Sequence, residues 1–261
     1  MSLLPSSIIR SLPALALGLV VVLVWEVCVT VSGIRPQLLP PPSLIVAQGW
    51  AFRELIWLNT VPTLIETAAG FTLAIVTATV AAMIIDFSAT ARRALYPLMV
   101  ASQALPIVAI APLLVLWFGF GLLPKALVVA LVTFFPITVG WVDGFATTEL
   151  AAANLLRSMG ASRWQLFWMV RVPGALPSFF SGLRIAISYA VVGAVFAEYV
   201  GAKNGLGIFM QLQQNSFRTD LVMAAVAMTA LISIVLFIAT YALENLMAPW
   251  QAEAKDASPP L

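Results

Sequence analysis

Leu221-Val-Met-Ala-Ala-Val-Ala-Met-Thr-Ala-Leu-Ile-Ser-Ile-Val-Leu-Phe-Ile-Ala-Thr-Tyr-Ala-Leu243 is the stretch that decides the fold, because it contains no charged residue from end to end. A helix of about 20 predominantly apolar residues crosses the hydrocarbon core of a bilayer. A helix also pairs its backbone N–H and C=O groups within itself, which a segment surrounded by lipid requires. The stretch therefore predicts a transmembrane α-helix.

Apolar stretches of this kind recur along the whole chain of 261 residues. Hydrophobic residues make up 62% of it and charged residues 9%, whereas a soluble domain carries about 25% charged residues. We therefore predict an all-α membrane protein with about six transmembrane helices, forming a single membrane domain over residues 1–261. Besides the stretch quoted above, the predicted spans are Pro13–Ser32, Thr63–Ile85, Leu95–Phe118, Leu122–Val142 and Leu176–Tyr199.

Prolines interrupt some of the predicted spans. Pro106 and Pro112 fall inside the third one, and proline removes a backbone donor and kinks a helix. A kinked helix beside a cavity and a simple packing irregularity both fit this pattern, and the choice stays open. Outside the spans, we expect an extended segment over Arg35–Ser43 and a short interfacial helix over Phe52–Asn59.

The residue types that the chain lacks exclude several functions. It has no histidine and a single cysteine, Cys28, which excludes a Cys/His metal site and an internal disulfide. The Gly-x-x-x-x-Gly-Lys-Ser/Thr loop that cradles ATP phosphates is absent. Basic residues form no cluster larger than the pair Arg92–Arg93, which argues against a nucleic-acid partner. We therefore expect no cofactor and no enzymatic activity.

The positions of lysine and arginine predict the orientation in the membrane. Cytoplasmic loops carry an excess of these residues, and the pair Arg92–Arg93 and the arginines before the fifth span favour the same side. With an even number of spans, both termini lie in the cytoplasm. The glycine-rich loop Gly201–Gly207 then lies outside.

Ionisable residues inside spans are candidates for function because a charge in lipid is expensive. Glu26, Glu66 and Glu198 lie toward the outer ends of their spans. They either contact the solute or a gate, or they reach water as ordinary helix-end groups. Together with Pro106 and Pro112 they form the set of candidate pathway or gate residues.

Other charged residues lie nearer the inner side. We expect Asp86 and Asp143 to be solvated, and Arg184 to extend toward the inner headgroups rather than to pair with a carboxylate. No two carboxylates share a span at helical spacing, which leaves no candidate for a catalytic pair.

The longest inner connection, residues 144–175, carries an apolar helical face. Leu155, Leu156 and Met159 recur at the spacing of one face, and Gly160 ends the helix. Such a face lies either on lipid headgroups or in a groove of a cytoplasmic partner. The residues alone leave both open.

A second short helix follows the glycine. Ser162 is placed to cap it, and we expect Pro173 to stop it before the next span begins. If the connection docks on a partner protein, Arg157 or Arg163 lies at the rim of the partner's groove.

This connection resembles the inner loop of ATP-binding-cassette importer permeases. The family pattern is Glu-Ala-Ala, three residues, Gly, nine residues, Ile, one residue, Leu-Pro. Gly160 matches the glycine, and Val170-Arg-Val-Pro173 follows at the matching distance, with valines for isoleucine and leucine. Asn154-Leu-Leu156 stands where the family has Glu-Ala-Ala, a departure that keeps the helical spacing.

The resemblance extends from Leu12 to Trp250 and is greatest to the branch that imports nitrate, sulfonates, taurine and thiamine-precursor pyrimidines. Leu155–Gly160 and Tyr189–Glu198 look most like the subgroup for pyrimidine or flavin precursors. The other stretches that carry the resemblance are Leu39–Ser43, Ala111–Gly119, Phe134–Ile137, Gly160–Trp164 and Gly182–Arg184.

The resemblance implies a type I importer permease fold and a division of labour among subunits. Two copies of the chain, in the simplest case a homodimer, form a pathway in a bacterial inner membrane. Cytoplasmic ATPase subunits hydrolyse ATP, and an extracytoplasmic solute-binding protein delivers the solute. The inner loop docks on the ATPase and transmits its motion, through Leu155, Leu156, Arg157, Met159, Gly160, Ala161, Arg163 and Pro173.

A second hypothesis assigns the chain to a different class of transporter. A vitamin-binding membrane subunit or a secondary carrier would capture its solute without a binding protein. Such carriers show internal repeats or broken helices with polar residues at the midplane. The sequence has no convincing repeat, and the loop around Gly160 has no role in that mechanism.

Overall fold

Helices form the regular secondary structure of all the segments that the structure describes. The structure, a computed structural model, describes residues 6–102, 106–147 and 150–248, and no strand occurs within these ranges. A π-turn, Phe167–Arg171, joins α8 to α9. The helices are α1 (Ser6–Ser32), α2 (Pro42–Ala51), α3 (Arg53–Phe87), α4 (Ala89–Ser102), α5 (Ile107–Phe118), α6 (Leu122–Ala146), α7 (Leu150–Ser158), α8 (Arg163–Leu166), α9 (Val172–Glu198), α10 (Leu206–Asn215) and α11 (Thr219–Met247).

Four of the described helices are long and apolar enough to cross a membrane. They are α3, α6, α11 and the continuous stretch Arg163–Glu198, which contains α8, the π-turn and α9. Two shorter apolar helices, Ala16–Ser32 within α1 and α5, accompany them. The prediction of an all-α membrane protein is confirmed, and the number of long spans among the described residues is smaller than expected.

The third predicted span, Leu95–Phe118, is wrong as a single helix. The structure divides it into α4 and α5, with Pro106 extended at the N-cap of α5 (φ −70°, ψ 117°). Proline lacks the N–H that a continuous helix needs and restricts the residue before it. Pro112 lies inside α5. The connecting residues 103–105 lie outside the described ranges.

The segment before the second predicted span also differs from expectation. Phe52–Asn59 was expected to form a separate interfacial helix, but from Arg53 onward it is the start of α3, a helix of 35 residues. The separate helix lies earlier, at α2, which begins with Pro42 in its first turn. Proline fits there because the first N–H groups of a helix have no intrahelical acceptor.

The described helices belong to two compact units. The first contains residues 1–58 and 209–228, and the second contains residues 59–208 and 229–261. Within the first unit, the Glu26 carboxylate accepts hydrogen bonds from the backbone N–H of Ser43 (2.9 Å) and from its hydroxyl (2.7 Å). Glu26 thus joins α1 to the first turn of α2, where a negative charge is favourable.

The core of the second unit is the contact between α6 and α9. Glycines allow the two backbones to approach closely: a Cβ built on Gly140 would lie 2.7 Å from the carbonyl oxygen of Ser178, and one on Gly182 would collide with that of Pro136. Next to this contact, the rings of Trp141 and Phe179 stack with centroids 4.2 Å apart. Small residues at helix contacts are a general device for packing helices in lipid.

We expect Gly140→Ala to destabilise the protein because the added methyl group meets backbone rather than a flexible side chain. Overpacking a tight contact costs about 1–3 kcal/mol, which corresponds to a fall in Tm of about 3–10 °C. Gly18→Ala is the matched control, since a Cβ on Gly18 meets no atom within 4 Å. The measurement is thermal unfolding in detergent, and equal Tm values for the two variants would contradict the assignment.

Candidate functional site

The turn between α7 and α8 has a defined backbone conformation. Gly160 adopts φ +82°, and its N–H donates to the carbonyl of Arg157 while the N–H of Ala161 donates to that of Leu156, both at 3.0 Å. This pair of bonds is a Schellman motif, which satisfies the last carbonyls of a helix and requires a left-handed residue. The predicted end of the helix at Gly160 is confirmed.

The following helix begins with a capping box. The Ser162 hydroxyl accepts from the N–H of Gln165 (3.2 Å), and the Gln165 side chain accepts from the N–H of Ser162 (2.8 Å). Both ends of the turn are therefore held by hydrogen bonds. The predicted cap at Ser162 is confirmed.

Pro173 does not end the second helix as expected. Helical structure continues from Arg163 through Glu198, and Pro173 lies in the first turn of α9. The π-turn Phe167–Arg171 directly before it changes the hydrogen-bonding pattern, so the ring is accommodated without a break. The connection of residues 144–175 is thus continuous with a membrane span.

Aromatic contacts attach α8 and the π-turn to the C-terminal ends of α3 and α6. Phe167 is fully buried, and its ring centroid lies 5.1 Å from that of Phe87 and 5.4 Å from that of Phe145. Arg171 of the π-turn forms an ion pair with Asp86 at the end of α3. The expectation that Asp86 is simply solvated is therefore wrong, because a partner from a distant part of the sequence lies beside it.

The outward side of the loop carries the residues predicted to dock. Leu155 is 63% exposed and Met159 is 74% exposed, while Leu156 is partly buried. Arg157 and Arg163 line a cavity of about 380 Å³ together with Ala161. The loop therefore has one face packed on the spans and one face that no described residue of this chain covers.

A second polar site lies around the last residue of α9. The Glu198 carboxylate is fully buried and accepts hydrogen bonds from the Thr63 hydroxyl and the N–H of Gly207, both at 2.5 Å. The Thr63 hydroxyl in turn accepts from the N–H of Leu206 (2.9 Å). A Cβ on Gly205 would collide with this carboxylate. The glycine-rich loop is thus wrapped around Glu198.

A buried ion pair adjoins this network. The Lys125 ammonium donates to the Glu66 carboxylate at 2.5 Å, and both side chains are nearly buried. The Glu66 and Glu198 carboxyl groups also lie within interaction distance of each other. Sequence spacing missed this pair of carboxylates because they belong to different helices. Lys125 lies within α6, inside the predicted span Leu122–Val142.

The candidate pathway residues therefore fall into separate places. Glu26 belongs to the first unit and binds Ser43. Glu66 and Glu198 meet in the second unit, where Glu66 lines a cavity of about 510 Å³. Pro106 and Pro112 belong to the start and interior of α5. Of the five candidate pathway or gate residues, the structure thus brings Glu66 and Glu198 together.

Arg184 does not extend freely toward headgroups. It forms an ion pair with Glu244 of α11, and its guanidinium also donates to the Ser181 hydroxyl at 2.9 Å. The Glu244 side chain is 5% exposed. Arg184 lies in the middle of α9, where an unpaired charge of either sign is costly, so it pairs with a carboxylate from a neighbouring helix. Asp143, by contrast, is exposed as expected.

The described geometry agrees with a known transport family. Residues 70–252 match the family described as binding-protein-dependent transport system inner membrane component. The chain belongs to this family. It is the permease subunit of an ABC importer and a multi-pass protein of the inner membrane. The family works with ATPase subunits and a binding protein, and its members are transport permeases rather than enzymes.

Relatives of the permease are named for different substrates. It is 39% identical to the formylaminopyrimidine transport permease protein ThiX of Halalkalibacterium halodurans, over 89% of this chain and 93% of that protein. It is 38% identical to the riboflavin transport system permease protein RibX of Chloroflexus aurantiacus (92% and 91% covered). It is 31% identical to the taurine transport system permease protein TauC of Escherichia coli (92% and 91% covered).

Solved structures share the fold of the permease at low sequence identity. An amino acid ABC transporter aligns with a TM-score of 0.59 and 15% identity, over 76% of this chain and 95% of that one. The methionine ABC transporter MetNI, in an inward-facing form, aligns with a TM-score of 0.58 and 15% identity over 76% and 96%. The predicted importer permease fold is confirmed.

We expect Lys125→Met to destabilise the permease because it leaves the Glu66 carboxylate buried beside Glu198 without a cation. Removing one member of a buried ion pair costs about 3–5 kcal/mol. The double variant Lys125→Met/Glu66→Leu should recover most of this loss, because no unpaired charge remains. Lys203→Met is the control, since Lys203 lines the same cavity but is exposed. Thermal unfolding in detergent measures all of them, and a double variant as unstable as the single one would contradict the account.

Proposed function

We propose that the loop of residues 144–175 docks on a cytoplasmic ATPase subunit and transmits its motion to the pathway. The observation that carries this is the two-sided loop: Leu155 of α7 and the following Met159 are exposed, while Phe167 of the π-turn is buried against the spans. An exposed apolar helical face fits a groove on a partner protein. The Asn154-Leu-Leu156 departure from the family pattern makes that face more apolar.

The attachment of α8 supports a transmitting role. Motion of a docked loop passes to α3 through Phe87 and the Asp86–Arg171 ion pair, and to α9 through unbroken helix. Coupling of this kind needs only that the ATPase binds one conformation of the loop better than another. ATP hydrolysis can then alternate the access of a pathway to the two sides of the membrane.

The assembly that we propose contains two copies of the permease. A homodimer forms the pathway, both termini lie in the cytoplasm, and a solute-binding protein delivers the solute on the opposite side. The arginine distribution supports the orientation, and the family description supports the need for a binding protein. The solute is small and belongs to the classes that the relatives and the resemblance suggest: pyrimidine, riboflavin-like, sulfonate or taurine, or nitrate.

We expect Gly160→Leu to leave membrane insertion intact and to uncouple ATP hydrolysis from uptake. A Cβ on Gly160 meets no atom of this chain within 4 Å, so the defect arises from the left-handed backbone and from the docked partner. Co-purification with the ATPase and uptake into vesicles are the measurements. Association should weaken by about tenfold or more.

Gly33→Leu is the matched control for this experiment. Gly33 also has a positive φ, +65°, and equally open surroundings, but it lies outside the loop. It should insert, bind the ATPase and transport normally. Normal assembly and coupled uptake in Gly160→Leu would refute the docking proposal and favour a loop that lies on lipid headgroups.

A further inference from the structure

A cavity of about 640 Å³ lies between α6, α9 and the end of α11. Phe135 and Asp143 line it from α6, Tyr189 from α9 and Glu244 from α11. It extends from the middle of α9 to the last turn of α6. Its volume is in the range of sites that hold a small organic molecule.

The charges around this cavity leave no free cation. The charged residues among its described lining are Asp143, Arg184 and Glu244. Arg184 and Glu244 neutralise each other in an ion pair, which leaves the exposed carboxylate of Asp143 as the net charge. A cavity of this kind repels anions and accepts neutral or positively charged molecules.

The uncharged part of the lining suits a flat aromatic ring. Tyr189 is 52% exposed although α9 is largely buried, and Phe135 is half-buried on the facing helix. Aromatic rings of this kind stack on a planar solute. The hydroxyl group of Ser178 lies in the same lining, where it supplies a polar group for the edge of such a ring.

We propose that this cavity is the solute-contacting part of the pathway and that it takes a neutral or cationic aromatic heterocycle rather than a sulfonate or nitrate anion. The inference rests on the proposed function and narrows its solute classes to two. A second copy of the chain and lipid are the other possible occupants of this face. Lipid favours an uncharged lining, and a second copy of the chain would have to bring a cation against the Asp143 carboxylate.

Thiol labelling measures the water access and the charge of the cavity directly. Ser178→Cys in a Cys28→Ser background, in vesicles that contain the assembled importer, is treated with methanethiosulfonate reagents that carry either a trimethylammonium or a sulfonate group. The labelling rate of each reagent is divided by its rate with a free thiol in solution, which removes the difference in intrinsic reactivity between the two reagents. We expect the cationic reagent to react about tenfold faster, because one nearby negative charge attracts it and repels the other.

The charge assignment has its own control variants. Asp143→Asn should bring the ratio of rates close to one. Glu244→Gln leaves Arg184 and Asp143 to offset each other and should also bring the ratio close to one, whereas Asp143→Asn/Glu244→Gln together should favour the sulfonate reagent. If the sulfonate reagent reacts as fast as the cationic reagent, or faster, in the protein that keeps Asp143, Arg184 and Glu244, the proposal is overturned. No reaction with either reagent would also overturn it, because lipid or a second copy would then cover the cavity.

Protection from labelling tests the class of solute. Formylaminopyrimidine or riboflavin should slow the reaction, and ethanesulfonate should not. Tyr189→Leu should raise about fivefold the heterocycle concentration that halves the labelling rate, because ring stacking is lost. Tyr189→Phe should leave that concentration unchanged. Tyr241→Leu is the matched control, since Tyr241 is 47% exposed and lies outside this lining.

Two results in this second experiment would count against the inference. Protection by ethanesulfonate alone, or no protection by either heterocycle, would overturn the assigned solute class. Labelling requires neither ATP nor ATPase docking, so its outcome is independent of the Gly160→Leu result. Failure of the docking proposal and failure of the cavity proposal are therefore distinguishable.

Discussion

The close contact of the α6 and α9 backbones is the constraint on which the second unit depends. Helices in lipid gain little from burying apolar side chains against one another, so their association relies on close packing. Gly140 and Gly182 remove the side chains that would hold the two backbones apart. The inner loop connects these same two helices, Glu198 ends one of them, and the cavity lined by Tyr189 lies along their shared face. The positions of these sites thus follow from one contact.

Buried and half-buried ion pairs are the second organising feature, and each joins parts of the chain that are far apart in sequence. Glu66 pairs with Lys125, Asp86 with Arg171, and Arg184 with Glu244. A membrane helix tolerates a charge where a neighbouring helix supplies the opposite one, because the alternative is an unpaired charge in a medium of low dielectric constant. These pairs therefore fix which helices are neighbours as well as neutralising the charges.

Local features of the chain could be predicted from sequence, and features that depend on neighbouring helices could not. Apolar length identified the long helices, and the glycine and serine around residue 160 identified the turn and its cap, because helix ends obey rules that act within a few residues. The sequence does not say that Glu66 approaches Glu198 or that Arg184 finds Glu244, since tertiary packing decides those distances. The continuation of helix through Pro173 escaped prediction because a π-turn accommodates the ring.

The glycines of the α6–α9 contact have a consequence at the level of the genetic code. Every non-synonymous single-base change of a glycine codon gives either a stop codon or a residue with a Cβ. At Gly140, Gly144 and Gly182 that Cβ would meet backbone atoms of the facing helix, which cannot move aside as a side chain can. Every single-base substitution that changes one of these glycines therefore introduces a stop codon or a residue that does not fit the contact. A change there survives only if the two helices first move apart, whereas an apolar exchange at an exposed position such as Leu231 meets no facing backbone.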